Sequence, residues 1–268
     1  MRSELDAQPD TPVSGQRAPD HDPAALVLVR HGESEGNVAE RRARERGVTT
    51  LDLEPRDADV GLSDDGRKQA EAVGSYLGGL DEQDRPTVVL SSPYRRALDT
   101  ARTALDVAGH DLQLLVDERL RERDLGAFDG LTMRGIEETY PREAEYRGKV
   151  GKLYYRPPGG ESWCDVALRV RSVVRDLREQ YHGERVWVFS HQAVIMSFRL
   201  VLEHLSEREL LDADRSRPVP NCSLTCYRRG GSGLLELVAY ADTTAVDEAA
   251  SAPRTAEPSA SEPTDAAT

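Results

Sequence analysis

Cysteine is scarce in this sequence, and the cysteines that occur form no recognisable pattern. Only three are present among 268 residues. Their number is odd and their spacing fits no common metal-binding motif, which argues against a cysteine-based metal centre. We therefore expect Cys164, Cys222 and Cys226 to be free thiols that pack in the interior and have no redox role.

Long apolar stretches and excess positive charge are also missing. No segment is long and apolar enough to cross a bilayer, and the N-terminal residues lack the apolar centre of a signal peptide. We therefore expect a cytoplasmic protein. Its 35 Lys and Arg residues are outnumbered by 48 Asp and Glu, for a net charge of −13. Such an acidic chain repels polyanions, which argues against nucleic acid or an anionic membrane as a partner.

The two ends of the chain contain little that could form a core. Residues 1–23 are rich in Asp, Pro, Gln and Ser, and residues 243–268 consist mostly of Ala, Ser, Thr, Pro, Glu and Asp. Neither segment can bury enough apolar surface to offset the entropy lost on ordering, so both are predicted to be disordered tails. Residues 24–242 remain, a common size for a single α/β domain.

Within that domain, two predicted strands each run into a histidine. Residues 26–29 are four consecutive aliphatic residues, typical of a strand buried on both faces, and the charged pair Arg30-His31 follows directly. A second such strand spans 185–190 and runs into His191. Because α/β sheets bind ligands beyond the carboxyl ends of their strands, the two histidines are predicted to share one site.

A third predicted strand, 87–90, leads into a helix that begins with two arginines. Ser92 is predicted to be the N-cap, and Arg95 and Arg96 fall in the first turn. The helix dipole disfavours cations at this end, so arginine here indicates a bound anion. A solvated surface pair is the alternative, more for Arg95 than for Arg96.

These motifs, in this order, resemble those of the histidine phosphatase superfamily, which has the phosphoglycerate-mutase-like fold. The resemblance extends over nearly all of 24–240. It rests on Arg30-His31-Gly32-Glu33 with Asn37, on residues 91–97, on 120–126 and on Ser190-His191. The resemblance implies a three-layer α/β/α sandwich with a mostly parallel central sheet.

The resemblance also implies a role for each matching residue. His31 would accept the phosphoryl group, Arg30 and Arg96 would hold its oxygens, and His191 and Asn37 would add donors. Glu122 is selected over Glu118 as the proton donor, with Asp124 and Asp129 as further rivals. The arginines supply the positive charge, so no metal and no cofactor are expected.

Within the superfamily, several segments resemble the bisphosphatase domain of the fructose-2,6-bisphosphate enzymes. Arg147, Lys152 and Gln192 fall where that branch binds its sugar phosphate. The first two lie in 131–160, a largely irregular segment expected to act as a lid over the site. Three ligand positions depart from the branch: Met133 and Trp163 replace tyrosines, and Met196 replaces an arginine.

The predicted function is therefore hydrolysis of a small phosphorylated metabolite, such as a sugar phosphate, through a phosphohistidine. A phosphoglycerate mutase is one alternative, which Gln192-Ala193 after His191 disfavours because that pair is unlike the mutase pattern. A phospho-ligand-binding protein without turnover is another, which the complete set of catalytic positions disfavours. The 131–160 segment disfavours a phosphoprotein phosphatase with an open site.

Overall fold

The computed structural model describes residues 22–248, which form a six-stranded sheet flanked by helices. The strands are β1 (Ala25–Arg30), β2 (Val88–Ser91), β3 (Leu114–Val116), β4 (Arg185–Ser190), β5 (Leu224–Arg229) and β6 (Leu235–Asp242). The helices are α1 (Glu35–Arg46), α2 (Asp64–Gly78), α3 (Arg95–Ala108), α4 (Met133–Thr139), α5 (Pro141–Val150), α6 (Trp163–Gln180), α7 (Gln192–Leu202), α8 (Glu207–Ser216) and α9 (Thr244–Glu248).

The sheet has the order β3-β2-β4-β1-β5-β6. Neighbouring strands from β3 to β1 are parallel, whereas β5 pairs antiparallel with both β1 and β6. The predicted α/β class with a mostly parallel sheet is confirmed. The antiparallel pair closes one edge as a hairpin, which needs only a short connection.

Alternation along the central strands builds a core on each face of the sheet. Leu26 and Leu28 of β1 pack in one cluster with α6 and α7, while Val29 faces the opposite cluster. In β4, Trp187 and Phe189 belong to that second cluster, which includes residues of α2 and α3. Side chains that alternate in this way bury both faces of a parallel sheet. The helices therefore form one layer on each side.

The segment 131–160 is more regular than predicted. Helix α4 ends at Thr139, and Pro141 begins α5, because proline lacks only an N–H that a first helical residue does not use. The two helices lie beside a small separate core of Phe128, Ile136 and Tyr155. The expectation of a mostly irregular segment was wrong.

The described fold continues past the predicted C-terminal boundary. Helix α9 lies within the 243–268 segment, and its Ala245 and Val246 are buried in the second cluster. At the other end, the buried Asp22 pairs with Arg178 of α6. The rest of the two predicted tails, 1–21 and 249–268, lies outside the described residues. Between 22 and 248, no helix is long and apolar enough to span a membrane.

The start of α2 packs directly on the backbone that follows β1. Ser63, the N-cap of α2, donates its backbone N–H to the carbonyl of Glu33 at 2.9 Å. A Cβ on Gly66 would lie 1.9 Å from that same carbonyl oxygen, and one on Gly32 would lie 2.5 Å from the carbonyl oxygen of Gly66. Two glycines are needed because no side chain fits between these backbones.

We predict that Gly66→Ala shifts the 31–33 backbone and destabilises the protein. Overpacking of this kind typically costs about 1–3 kcal/mol, and here the obstacle is backbone that cannot swing away. Gly148→Ala in α5 is the matched control, because a Cβ there meets nothing within 4 Å. Thermal denaturation should show a lower melting temperature for the first variant and no loss for the second. Equal melting temperatures would contradict the close approach.

Candidate active site

Strand register brings the two predicted strand-end histidines together. In the parallel β1–β4 pair, Arg30 lies opposite Ser190, so His31 and His191 leave the sheet side by side. The His31 backbone N–H donates to the carbonyl of Ser190 at 3.0 Å. The two imidazole ring centres are 5.1 Å apart, and both side chains are buried. One site therefore contains both histidines.

The His31 ring is neutral and its tautomer is defined. Nδ1 lies 2.7 Å from the carbonyl oxygen of Gly32, and a carbonyl only accepts, so Nδ1 carries the proton. Burial, followed by the charges of Arg96 and Arg30, holds the pKa of His31 well below its usual value. The lone pair of Nε2 is therefore available to attack an electrophile at neutral pH.

Two buried arginines surround this imidazole. Arg30 ends β1 and donates Nη1 to the carbonyl of Val219 at 2.6 Å. Arg96 lies in the first turn of α3 and donates to the carboxylate of Asp57. Both guanidinium charges reach His31, as its lowered pKa reflects. Two arginine charges therefore act on His31, although Asp57 pairs with Arg96 and the protein as a whole is acidic.

Ser92 has a different role from the predicted helix cap. Helix α3 begins at Arg95 with Tyr94 as its N-cap, so the predicted cap at Ser92 was wrong. The Ser92 hydroxyl oxygen instead accepts the Tyr94 N–H at 3.2 Å and lies 2.8 Å from Nε2 of His191. A hydroxyl can donate to Nε2 or accept from it, and donation would leave the His191 proton on Nδ1.

The Nδ1 atom of His191 is the ring nitrogen that faces Glu122. Nδ1 of His191 has no hydrogen-bond partner among the described residues, and it lies 3.9 Å from a carboxylate oxygen of Glu122. Burial, followed by the charges of Arg96 and His31, holds the pKa of His191 well below its usual value. Because buried polar atoms normally have a hydrogen-bond partner, the Nδ1 of His191 indicates a place where a ligand atom would bind.

Glu122 is held in place by its own loop and by α6. Oε1 accepts the backbone N–H of Arg123 at 2.8 Å, while Oε2 is the oxygen that faces His191. Arg169 of α6 donates to the carbonyls of Arg119 and Glu122, and so fixes the backbone on both sides of the acid. Burial raises the pKa of Glu122, against the hydrogen bond from Arg123 and the charges of Arg96 and Arg30.

The three rival acids are less well placed. Glu118 is exposed and belongs to the turn that follows β3. Asp124 is exposed and its Oδ1 accepts the Gly126 N–H at 2.7 Å, which is a local turn contact. Asp129 is exposed as well. Among the described residues, Glu122 is the one of these four acids whose carboxylate comes within 4 Å of either histidine, at 3.9 Å from Nδ1 of His191.

Asn37 is tied to the start of α1. Its Oδ1 accepts the backbone N–H and the hydroxyl of Ser34, each at 3.1 Å, and so completes a capping box. Asn221 approaches the same oxygen at 3.5 Å and donates to the His31 carbonyl at 2.9 Å. With Oδ1 committed to the cap, Nδ2 is the atom with which Asn37 could donate to a ligand.

The predicted sugar-phosphate ligands gather around one buried carboxylate. Asp214 of α8 accepts from Lys152 at 2.8 Å and from Gln192 at 2.9 Å, and it is 1% exposed. Arg147 and Arg123 both lower the pKa of Lys152, after burial and against the opposing effect of Asp214. Three cationic side chains therefore lie near this carboxylate, and Glu122 and Glu161 also act on Arg123.

The residues that depart from the fructose-2,6-bisphosphatase pattern lie in or near this pocket. The Lys152 ammonium lies over the Trp163 ring at 5.2 Å, and Nη1 of Arg147 approaches the Met133 sulfur at 3.9 Å. Met196 is buried in the first core cluster, and its sulfur lies 3.4 Å from the Tyr240 hydroxyl oxygen. Trp163 and Met133 thus each contact one of the predicted sugar-phosphate ligands. Within 22–248, no group of three or more His, Cys, Asp or Glu could hold a metal ion.

Sequence reasoning missed four residues of this site: Asp57, Ser92 in its actual role, Arg169 and Asn221. Each acts on a partner distant in sequence, such as Asp57 on Arg96 or Asn221 on His31. No local pattern marks such contacts. The acidic segment around Asp57 gives no local signal of its contact with Arg96.

Paired histidines and arginines at the carboxyl ends of parallel strands define an α/β protein with an anion site. A model of the histidine phosphatase superfamily (branch 1) matches residues 26–243. The chain belongs to the histidine phosphatase superfamily, which confirms the family indicated by its motifs.

Individual relatives in this superfamily carry different activities in their names. A probable fructose-2,6-bisphosphatase from Schizosaccharomyces pombe is 32% identical over 186 residues, covering 69% of this chain and 40% of that protein. A 2,3-bisphosphoglycerate-dependent phosphoglycerate mutase from Gloeobacter violaceus is 32% identical, covering 74% and 84%. The structure of a mycobacterial glucosyl-3-phosphoglycerate phosphatase with inorganic phosphate has 27% identity and a TM-score of 0.63, covering 83% and 99%. The chain spans less than half the length of the first curated relatives that it matches.

We predict that Ser92→Ala lowers turnover roughly 10- to 100-fold, because His191 loses its hydrogen bond to the Ser92 hydroxyl. A single donor to a transition state is worth up to about 10³-fold, and this change weakens one without removing it. Ser91→Ala is the matched control, since that hydroxyl donates only to the Ser92 carbonyl in the described structure. Steady-state kinetics on a phosphate monoester should show a lower kcat for Ser92→Ala than for Ser91→Ala. Equal losses of kcat would contradict a role for the hydrogen bond between Ser92 and His191.

Proposed function

We propose that this protein is a phosphatase that hydrolyses a small phosphorylated metabolite through a phosphohistidine on His31. One observation carries the proposal: a neutral, buried His31 whose Nδ1–H is bound to Gly32, between the guanidinium groups of Arg30 and Arg96. A neutral imidazole with a defined free nitrogen is a nucleophile, and two arginines are suited to a phosphate dianion.

The surrounding donors match the charge that develops during phosphoryl transfer. That charge spreads over three equatorial oxygens, so positioning and cationic donors provide most of the catalysis. Arg30 and Arg96 would bind these oxygens, with Nδ1–H of His191 and Nδ2 of Asn37 as neutral donors. The orphan Nδ1 of His191 supports this, because a phosphate oxygen would supply its missing acceptor.

The reaction proceeds in two displacements. In the first, Nε2 of His31 forms a bond to phosphorus as the ester P–O bond breaks, and Glu122 gives its proton to the departing oxygen. In the second, Glu122 takes a proton from water, whose oxygen bonds to phosphorus as the P–N bond breaks. Inorganic phosphate leaves, and both His31 and Glu122 return to their starting states.

The protonation states set the pH dependence. His31 must be neutral, and its pKa lies well below the usual 6.5, so activity is lost only when the solution becomes clearly acidic. Glu122 must carry a proton in the free enzyme, and burial raises its pKa, so activity falls as the pH rises through that value. The kcat/KM profile should therefore be bell-shaped.

The cationic side chains near Asp214 indicate which kind of substrate the pocket would favour. Arg123, Arg147 and Lys152 lie near the buried carboxylate of Asp214, and the charges of Glu122 and Glu161 also act on Arg123. A metabolite with a second anionic group, such as a sugar bisphosphate or a phosphorylated acid, would suit these cationic side chains. Replacement of two tyrosines by Met133 and Trp163 makes the walls less polar than in the fructose-2,6-bisphosphatase branch, and supports a different molecule.

We predict that the protein releases inorganic phosphate from phosphorylated metabolites and that His31→Ala abolishes this release. The control is His182→Ala, which changes an exposed histidine in the turn before β4, at the opposite end of that strand from His191. A phosphate-release screen over sugar phosphates and phosphorylated acids makes the measurement. Binding without release would favour a phospho-ligand-binding protein. Interconversion of 2- and 3-phosphoglycerate without release would favour a mutase. Either result would sink the proposal.

We predict that Glu122→Gln lowers the hydrolysis rate of an alkyl phosphate about 10²- to 10⁴-fold, the usual worth of general acid catalysis. The loss on p-nitrophenyl phosphate should be much smaller, because its phenolate leaves without a proton. Glu118→Gln is the matched control, since that exposed side chain lies in the same loop. Equal losses on both substrates would mean that Glu122 only maintains the structure, and Asp124 would become the next candidate.

A further inference from the structure

An aspartate outside the predicted site holds the arginine that we propose to bind phosphate. Asp57 lies in a short 3₁₀ turn (Asp57–Asp59) between α1 and α2. Its Oδ1 and Oδ2 accept from Nη1 and Nη2 of Arg96 at 2.8 and 3.1 Å, and its carbonyl accepts from Nη1 at 2.6 Å. The Arg96 side chain is 6% exposed, so this ion pair is buried on the arginine side.

The donor count leaves one edge of Arg96 for another ligand. A guanidinium has five N–H groups, and Asp57 accepts three of them, all from the terminal nitrogens. The Nε–H and the second Nη2–H remain, and they lie on the other bidentate edge of the group. No described residue accepts from Nε of Arg96. Two parallel donors on one edge match two oxygens of a phosphoryl group.

The turn that carries Asp57 is anchored beside the start of α1. Val60 is buried, and the carbonyl of Gly61 accepts the Glu35 N–H at 3.1 Å, in the first turn of α1. Leu62 forms a β-bridge with Ser34. The Asp57 carbonyl also accepts the Val60 N–H at 3.4 Å. These contacts fix the backbone of Asp57 relative to residues 31–34.

We propose that Asp57 is a positioning residue for phosphoryl transfer, which holds one edge of Arg96 so that the opposite edge meets the equatorial oxygens. This inference rests on the proposed phosphatase function. A carboxylate so close to a phosphate site weakens binding of the dianion by repulsion. Its benefit must therefore be orientation, which counts most in the transition state.

The charges around Glu122 support the same role. Burial raises the pKa of Glu122, the Arg123 N–H and the charges of Arg96 and Arg30 lower it, and Asp57 raises it again. His191 also faces this carboxyl, at 3.9 Å from Oε2. Asp57 therefore offsets the Arg96 charge before substrate arrives, which favours the protonated acid. Removal of that charge should move the alkaline limb of the kcat/KM profile to lower pH.

The test compares Asp57→Asn and Asp57→Ala with Asp59→Asn. Asp59 lies in the same turn but pairs with the exposed Arg56, so it is a matched control. We expect both Asp57 variants to lose about 10²-fold in kcat on an alkyl phosphate, the usual cost of a misplaced group. Affinity for inorganic phosphate should stay equal or rise, and the alkaline limb should shift as described. The control should behave as wild type.

Calorimetric titration with vanadate and with inorganic phosphate gives a readout that needs no turnover. Vanadate adopts the five-coordinate geometry of the transition state, so the Asp57 variants should bind it more weakly while binding phosphate as well as before. Unchanged kcat with tighter phosphate binding would show that Asp57 merely competes for Arg96, and would overturn the proposal. So would a loss of kcat that follows a lower melting temperature without a pH shift. Wild type that binds both anions but hydrolyses nothing would refute the phosphatase function alone, because vanadate discrimination by Asp57 could still be measured.

Discussion

The parallel pairing of β1 with β4 is the constraint on which the rest of the site depends. Because Arg30 lies opposite Ser190, the residues that follow both strands emerge together, and the two imidazoles come within 5.1 Å. A slip of one residue would turn each side chain of the strand to the other face, so the two cores and the site require the same register. The alternation that buries Leu28 and Val29 on opposite faces therefore also aligns the candidate catalytic groups.

Burial of so many polar groups in one place requires that each has a partner or a substrate. His31 uses the Gly32 carbonyl, Arg30 that of Val219, and Arg96 the carboxylate of Asp57. Burial disfavours the charged forms of the histidines and of Glu122. A neutral His31 and a protonated Glu122 are the forms that the proposed mechanism needs to attack a phosphate ester and protonate its leaving group. The same burial that costs free energy in folding thus sets the chemistry. The Nδ1 of His191 has no hydrogen-bond partner among residues 22–248, and we propose that a phosphoryl oxygen binds there.

Local sequence patterns predicted the elements and the residues at their ends, but not the contacts between distant segments. The aliphatic run before Arg30 was sufficient to predict β1, because consecutive apolar residues are typical of a buried strand. Ser92 was assigned to a cap on its local sequence alone, yet its hydroxyl binds His191, 99 residues away. Asp57 could not be identified at all, since its partner lies on another helix and acidic loops are common. The roles assigned to Arg147, Lys152 and Gln192 stay predictions, and the structure adds Asp214 as the carboxylate that joins two of them.

The central claim is that phosphate passes through Nε2 of His31, and one measurement addresses it directly. The enzyme should be mixed with a ³²P-labelled or heavy-oxygen phosphate ester, denatured within milliseconds at alkaline pH, digested and mapped by mass spectrometry. Phosphohistidine is stable to base and labile to acid, so the label should be found on the peptide that contains His31 and should vanish after acid treatment. Label on a serine, a cysteine or an aspartate, or on His191 instead, would contradict the account.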